Sequence, residues 1–229
     1  MTLHNIRLLR YRTETDFERH YYDKTFDLAR LEEVDLIAVY WMGDDIAHVM
    51  VSFGFGGEDF VTVSIETRKE RGEGYSTLKG FFKQYELIYV VGDERDLIRV
   101  RTDFREPPED VYVYRTRMPP ENRRALFLEY VRQINALHAR PQWYNTLTTN
   151  CTTNVVRHTR AYGGLARYNW RVLLSGHAPR YAYDLGGLDT SLPFEELRRM
   201  SLVNPKARAA GDAPDFSRRI REGLPLPAP

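Results

Sequence analysis

What this sequence has little of narrows its class first. A single cysteine among 229 residues, Cys151, excludes an intrachain disulfide, so no covalent staple holds the fold and the thiol itself needs explaining. No stretch approaches the ~20 apolar residues of a membrane-spanning helix. Neither sign of charge dominates: 33 Lys+Arg against 32 Asp+Glu leave a net +1. That balance argues against a protein whose main work is neutralising a phosphate backbone, and hence against nucleic acid as a partner. Paired His or Cys at zinc-ligand spacing are missing, and no Gly-rich phosphate loop leads into a helix. No metal and no cofactor is therefore expected. What is present is ordinary globular material, 42% hydrophobic. A chain of this length buries about 70–75% of its unfolded surface and can build its own core.

The pattern along the chain is that of an α+β domain, with strands mostly before helices. The first thirty residues are polar and aromatic. Val34 to Trp41 (VDLIAVYW) is a continuous apolar run of strand length, as expected for a strand covered on both faces. After the turn signal Gly43-Asp44-Asp45 comes Ile46 to Phe55 (IAHVMVSFGF), and after Gly56-Gly57 comes Phe60 to Glu66 (FVTVSIE). In the latter Val61, Val63 and Ile65 alternate with Thr62, Ser64 and Glu66, the period of a strand. Together they read as an antiparallel meander. Thr67–Gly80 reads as a charged loop; Tyr85–Val91, Leu97–Thr102 and Val111–Arg115 read as further strands. Pro119-Pro120-Glu121 opens a helix that reaches about Ala139, with Pro141 beyond its end. A second helix is expected from near Asn150 to Gly163-Gly164. Residues 1–204 read as a single domain and 205–229, rich in Pro, Ala, Arg and Asp without periodicity, as a loosely ordered C-terminal tail.

The chemistry centres on Cys151, set in YNTLTTNCTTN. Thr149 or Asn150 is a good N-cap, which puts the cysteine in the first helical turn. There the positive end of the helix dipole favours thiolate, and unpaired backbone N–H groups can hold an oxyanion. The competing reading is a buried structural cysteine; flanking threonines and asparagines, rather than aliphatics, weigh against it. A nucleophilic cysteine needs a base. His158 lies seven residues on in the same helix, about 10 Å along the axis, too far for a hydrogen bond. His4, His20, His138 and His177 have no feature to recommend them. His48 interrupts an otherwise apolar strand, where an imidazole costs stability unless it is paired or used; a satisfied core histidine is the alternative. Glu66 stands where an orienting acid would stand on the adjacent strand, or is a solvated strand end. Asn150, Thr152, Tyr144 and Lys69 are candidates for holding an oxyanion or positioning substrate, with capping the competing role for Asn150 and a solvated loop for Lys69. Trp41, Phe53, Phe55, Trp143 and Tyr144 are candidates to line an acyl groove, with core packing as the alternative.

Five segments, IAHVMVSFGF, VSIETRKERGEGYS, QYELIYVVGDERD, RPQWYNTLTTNCTTNVVRH and SLPFEELRR, resemble the Lnb-type N-terminal periplasmic domain family, from about Leu3 to about Leu224. The resemblance implies a permuted papain-like/NlpC-like fold with histidine before cysteine, similar to lecithin:retinol acyltransferase. The antiparallel sheet would pack against the helix that carries the cysteine. It implies Cys151 as nucleophile, His48 as base and Glu66 as the orienting acid. It also implies acyl transfer from a phospholipid, through a cysteine thioester, to an amine such as a lipoprotein N-terminus. The implied setting is the periplasm, at a membrane surface, with an anchor outside these 229 residues. With the extra segments SLPFEELRR and FSRRIR near its end, the chain resembles a branch of the family more closely than the family's acyltransferase member. Two rival readings stand beside transfer: a cysteine peptidase or peptidoglycan amidase, and a non-enzymatic periplasmic domain.

Overall fold

The computed structural model describes residues 1–68, 85–145 and 148–227. Its strands are β1 (Thr2–Arg7), β2 (Arg10–Tyr11), β3 (Phe17–Glu18), β4 (Tyr21–Thr25), β5 (Leu31–Tyr40), β6 (Ala47–Phe55), β7 (Asp59–Arg68), β8 (Glu86–Gly92) and β9 (Asp110–Arg115). The described helices are α1 (Glu94–Leu97), α2 (Pro120–Ala139), α3 (Cys151–His158), α4 (Trp170–Leu173), α5 (Ala178–Asp184), α6 (Phe194–Ser201), α7 (Asn204–Ala210) and α8 (Phe216–Arg221), with a π-helical turn at Val100–Phe104. Among the described residues one sheet of seven strands runs β4-β1-β8-β7-β6-β5-β9, and β2 pairs with β3 apart from it. The architecture is α+β. Every pairing in the large sheet is antiparallel except β1 with β8.

The consecutive apolar residues of β5 follow from burial on both faces. Val34, Val51, Phe53, Val61 and Val63 fall in one core, with Leu126, Phe127 and Tyr130 of α2; this is the front of the sheet. Ile37, Val39, Met50 and Val113 fall in another, on the back, with Leu97, Val203, Ala207, Phe216 and Ile220. A third cluster extends the front face with Leu36, Val49, Tyr114, Ala178 and Leu197. Phe53 meets the rings of Phe127 and Tyr130 edge-on at 5.0 and 5.6 Å, which fixes α2 across the front. One strand thus serves two cores.

Three expectations are corrected. Leu97–Thr102 is helical, not a strand: Asp93 caps the turn by accepting Arg95 N–H at 2.9 Å, and Leu97, Ile98 and Val100 are buried along one side of it. The second helix is shorter than the expected run to Gly163-Gly164: α3 ends at His158, a 3-10 turn covers Thr159–Tyr162, and Gly163 takes the left-handed φ of 74° that closes it. The C-terminal segment is not loosely ordered through its helices. α7 and α8 lie on the back of the sheet with Ala207, Phe216 and Ile220 fully buried. Each helix is too short to display a period, and Arg221, polar in sequence, is spent inside. Its guanidinium meets Asp35 Oδ2 at 2.7 Å and both Glu94 oxygens at 2.7 Å, over the Phe60 ring at 3.8 Å. From residue 69 on, the loop expected over Thr67–Gly80 lies outside the described residues, and Lys69 with it.

Candidate active site

The site forms where two strands part. The β6–β7 ladder runs from Phe55↔Asp59 to Met50↔Ser64, while β6 continues back to Ala47 and β7 onward to Arg68 beside β8. Beyond Met50↔Ser64, Ala47–Val49 have no β7 partner among the described pairings, and the Val49 N–H there meets the Cys151 sulfur. The helix start is set locally: Asn150 Oδ1 accepts Thr153 N–H at 2.7 Å, and its carbonyl accepts Thr153 Oγ1 at 3.1 Å and Asn154 Nδ2 at 3.0 Å. The first-turn N–H groups have no carbonyl one turn earlier. Those of Cys151 and Thr152 act on the sulfur, as does the Val49 N–H, and Thr152 Oγ1 lies 3.7 Å from Sγ. Burial pushes the half-buried thiol's pKa up, against the pull of these donors. At neutral pH the group is therefore a neutral thiol.

His48 precedes Val49, so a sulfur within hydrogen-bond reach of the Val49 nitrogen is within about 6 Å of the His48 Cα. The imidazole leans to the back of the sheet. Its Nε2 is 2.7 Å from Ser64 Oγ, and Ser64 donates to Glu66 Oε1 at 2.7 Å; His48 Nε2 and Glu66 are 3.8 Å apart. Because the Ser64 proton goes to the carboxylate, Ser64 accepts from Nε2–H, which leaves Nδ1 as the basic nitrogen. Among the described contacts the thiol is not hydrogen-bonded to His48. Cys151 comes to this stretch of β6 from the front and His48 turns from it to the back.

Charges around this relay hold it in one state. Burial lowers the His48 pKa most, Arg101 and Arg105 lower it further, and Glu66 opposes them, leaving it near 4. For Glu66, burial raises the pKa, but His48, Arg101, the Ser64 hydroxyl and Arg7 outweigh it and hold the carboxyl near 2. At neutral pH the pair is a neutral imidazole and a carboxylate. Arg101 sits in the π-helical turn with Nη2 3.6 Å from Glu66 and Nη1 donating to Leu97 O at 2.7 Å. Burial lowers its own pKa, which Glu66 and Glu109 counter.

The remaining candidates are dispersed. Asn150 is the helix cap and Thr152 borders the thiol. Tyr144 is buried in the front core, its N–H bonded to Tyr85 O at 2.8 Å. Phe53 and Phe55 are core, while Trp41 and Trp143 are exposed. His158 is a core histidine: Nε2 is 2.9 Å from Tyr89 Oη, and its ring lies 4.3 Å from that of Tyr130. Sequence reasoning missed the bridging role of Ser64 and the whole of Arg101. Ser64 had a usable signal, since it shares its strand face with Glu66; Arg101 had none.

On the front face, between the sheet and α2, α3 and α5, lies a cavity of about 350 Å³. Its lining is largely aliphatic, with Val51, Leu126, Val155 and Val172. None of the five aromatic groove candidates lines it. Val49 and Thr152, which flank the thiol, do. The cavity thus reaches the neighbours of Cys151, while Cys151 itself is not among its lining residues.

The family described as Lnb N-terminal periplasmic domain matches residues 17–176. The chain belongs to this family. The match contains His48, Glu66 and Cys151, while α5 to α8 lie outside it. The Lnb family description places the domain in the periplasm. No curated protein and no solved structure matches the chain significantly. Among the described residues no helix is long and apolar enough to cross a membrane, and no three metal-ligating side chains converge.

Proposed function

We propose that this Lnb-family domain is a thiol acyltransferase of permuted papain-like/NlpC-like design, moving an acyl chain from phospholipid through a Cys151 thioester to an amine such as a lipoprotein N-terminus. The observation that carries this reading is the thiol's position. It sits among backbone donors at a helix start, next to residues that line an aliphatic cavity, and bonds the N–H of Val49, the residue after a histidine whose Nε2 is engaged. A cavity of about 350 Å³ is within the range of small-ligand sites, and its apolar lining suits a hydrocarbon chain better than a peptide or glycan.

In the first half-reaction the His48 ring moves from the back of the sheet to bring Nδ1 to the thiol, takes its proton, and the sulfur attacks the ester carbonyl. The Val49, Cys151 and Thr152 N–H groups hold the tetrahedral oxyanion. Collapse breaks the ester C–O bond, and the departing lysophospholipid oxygen takes the proton from His48. In the second half-reaction an amine attacks the thioester carbonyl and gives its proton to His48. The C–S bond breaks, and that proton returns to the sulfur. Glu66 and Ser64 keep Nε2 protonated throughout. The domain works at a membrane face, anchored by a segment outside this chain.

The test supplies phospholipid and a lipopeptide amine and measures lysophospholipid and N-acylated peptide. The expected result is both products from wild type and neither from Cys151→Ser or His48→Gln. Cleavage of a peptide or muropeptide without lysophospholipid would favour the hydrolase reading; no Cys151-dependent reaction would favour a non-enzymatic domain.

A further inference from the structure

The turn between β5 and β6 and the segment around α4 leave large apolar side chains outside the fold. Leu165 is 68% exposed, Met42 67%, Trp170 60%, Tyr168 54% and Trp41 49%. Contacts behind them make these two pieces one ridge. Gly176 N–H donates to Asp45 O at 2.9 Å, Ala47 N–H to Ser175 Oγ at 3.0 Å, and His177 Nε2 lies 2.8 Å from Asp45 Oδ1. Trp170 packs against the His177 ring at 5.0 Å. A Cβ on Gly176 would stand 1.9 Å from Asp44 O, so the approach is closed to any other residue. Further along, Arg167 N–H donates to Tyr181 Oη at 2.9 Å, tying the ridge to α5, and Leu165 itself lines the cavity.

Charge separates this region from the rest of a balanced chain. Between Arg157 and Asp184 there are five arginines (157, 160, 167, 171 and 180) and one acid, Asp184, which pairs with Arg171 and Arg180; with Asp44 and Asp45 of the turn, the region carries five arginines against three acids. Exposed Trp and Tyr among arginines, beside a cavity lined with aliphatics, is the composition of a surface that sits at lipid headgroups: the rings take the interface and the guanidinium groups meet anionic lipid.

We propose that the ridge Trp41–Met42, Leu165, Tyr168 and Trp170 docks on an anionic phospholipid surface and turns the cavity toward the bilayer. This deepens the acyl-transfer reading by naming the face that meets the lipid, but docking does not require Cys151 to react.

The test therefore uses Cys151→Ala protein, co-sedimented with phosphatidylcholine vesicles that contain or lack phosphatidylglycerol. Binding is expected only with phosphatidylglycerol and is expected to weaken with added salt. The triple variant Trp41→Ser/Met42→Ser/Trp170→Ser should lose at least about tenfold in partitioning, since three apolar side chains no longer enter the interface. Arg160→Glu, a single exposed change, provides a second reading and should bind less tightly. Absence of vesicle binding, or binding equal in the triple variant, would overturn the proposal. Docking is separable from chemistry: in detergent-dispersed lipid the triple variant should keep wild-type acyl transfer. Vesicle binding by the ridge without transfer by wild type would sustain docking and refute the reaction.

Discussion

Removing the Arg101 guanidinium is the perturbation with the most calculable effect on the relay. The guanidinium is buried 3.6 Å from Glu66 Oε1. At an effective dielectric near 20 a unit pair at that distance interacts by about 4–5 kcal/mol. Arg101 is also the second cause, after burial, of the lowered His48 pKa. Arg101→Met therefore acts twice: it removes a cation that repels the imidazolium and frees the Glu66 charge to attract it. His48, held near 4, should rise by at least about one pH unit, or about 1.4 kcal/mol of preference for the protonated ring. The assay is an NMR titration of the His48 ring, assigned by its loss in His48→Gln. In parallel, the acid limb of Cys151 alkylation should move alkaline by the same amount. Arg101→Lys keeps the charge and should keep His48 low, separating electrostatics from lost packing. A His48 pKa that stays put or falls in Arg101→Met, in protein that melts cooperatively, would refute the reasoning.

Two further predictions concern stability. Burial is the first cause that lowers both His48 and His158, each to about 4. The unfolded chain binds these protons near 6.5 and the folded chain only near 4, so their contribution is complete above about 6.5 and is lost as pH falls toward 4. The loss is of order 3 kcal/mol per imidazole. Urea midpoints should fall across that window and keep falling below it as Glu66, held near 2, takes its proton, whereas a flat profile would contradict the shifts. Arg221→Ala leaves Glu94 without its cation in the interior and Asp35 with Arg115 alone, and should cost about 3–5 kcal/mol, lowering Tm by roughly 6–20 °C. Arg218→Ala, which breaks exposed pairs with Asp215 and Glu222, should cost under about 1 kcal/mol. Equal melting temperatures for the two variants would show that the C-terminal helix is not held by its buried arginine.

What was legible in the sequence was what is decided locally. β5, β6 and β7 announce themselves by an apolar run and by alternation, because the burial of each residue follows from its own position on the strand. The start of α3 is legible because the Asn150 side chain caps the helix it begins. Leu97–Thr102 misleads because its apolar residues suit a strand equally well, and the Asp93 cap decides the matter. α7 and α8 are hidden by brevity, and Arg221 looks like a surface residue until Asp35 and Glu94, over a hundred positions away in the chain, are set against it. The relay from His48 through Ser64 to Glu66 depends on the β6–β7 register, and Arg101 enters it from a π-helical turn with no pattern of its own. The cavity belongs to no segment, arising between the sheet and three helices.

The central claim is that Cys151 is a nucleophile that takes an acyl chain, and intact-mass analysis after incubation with phospholipid vesicles tests it most directly. The predicted result is one acyl chain added to wild type, mapped to Cys151, released by hydroxylamine as a thioester and absent in Cys151→Ala. An unmodified Cys151, or an acyl chain on another residue, would contradict it.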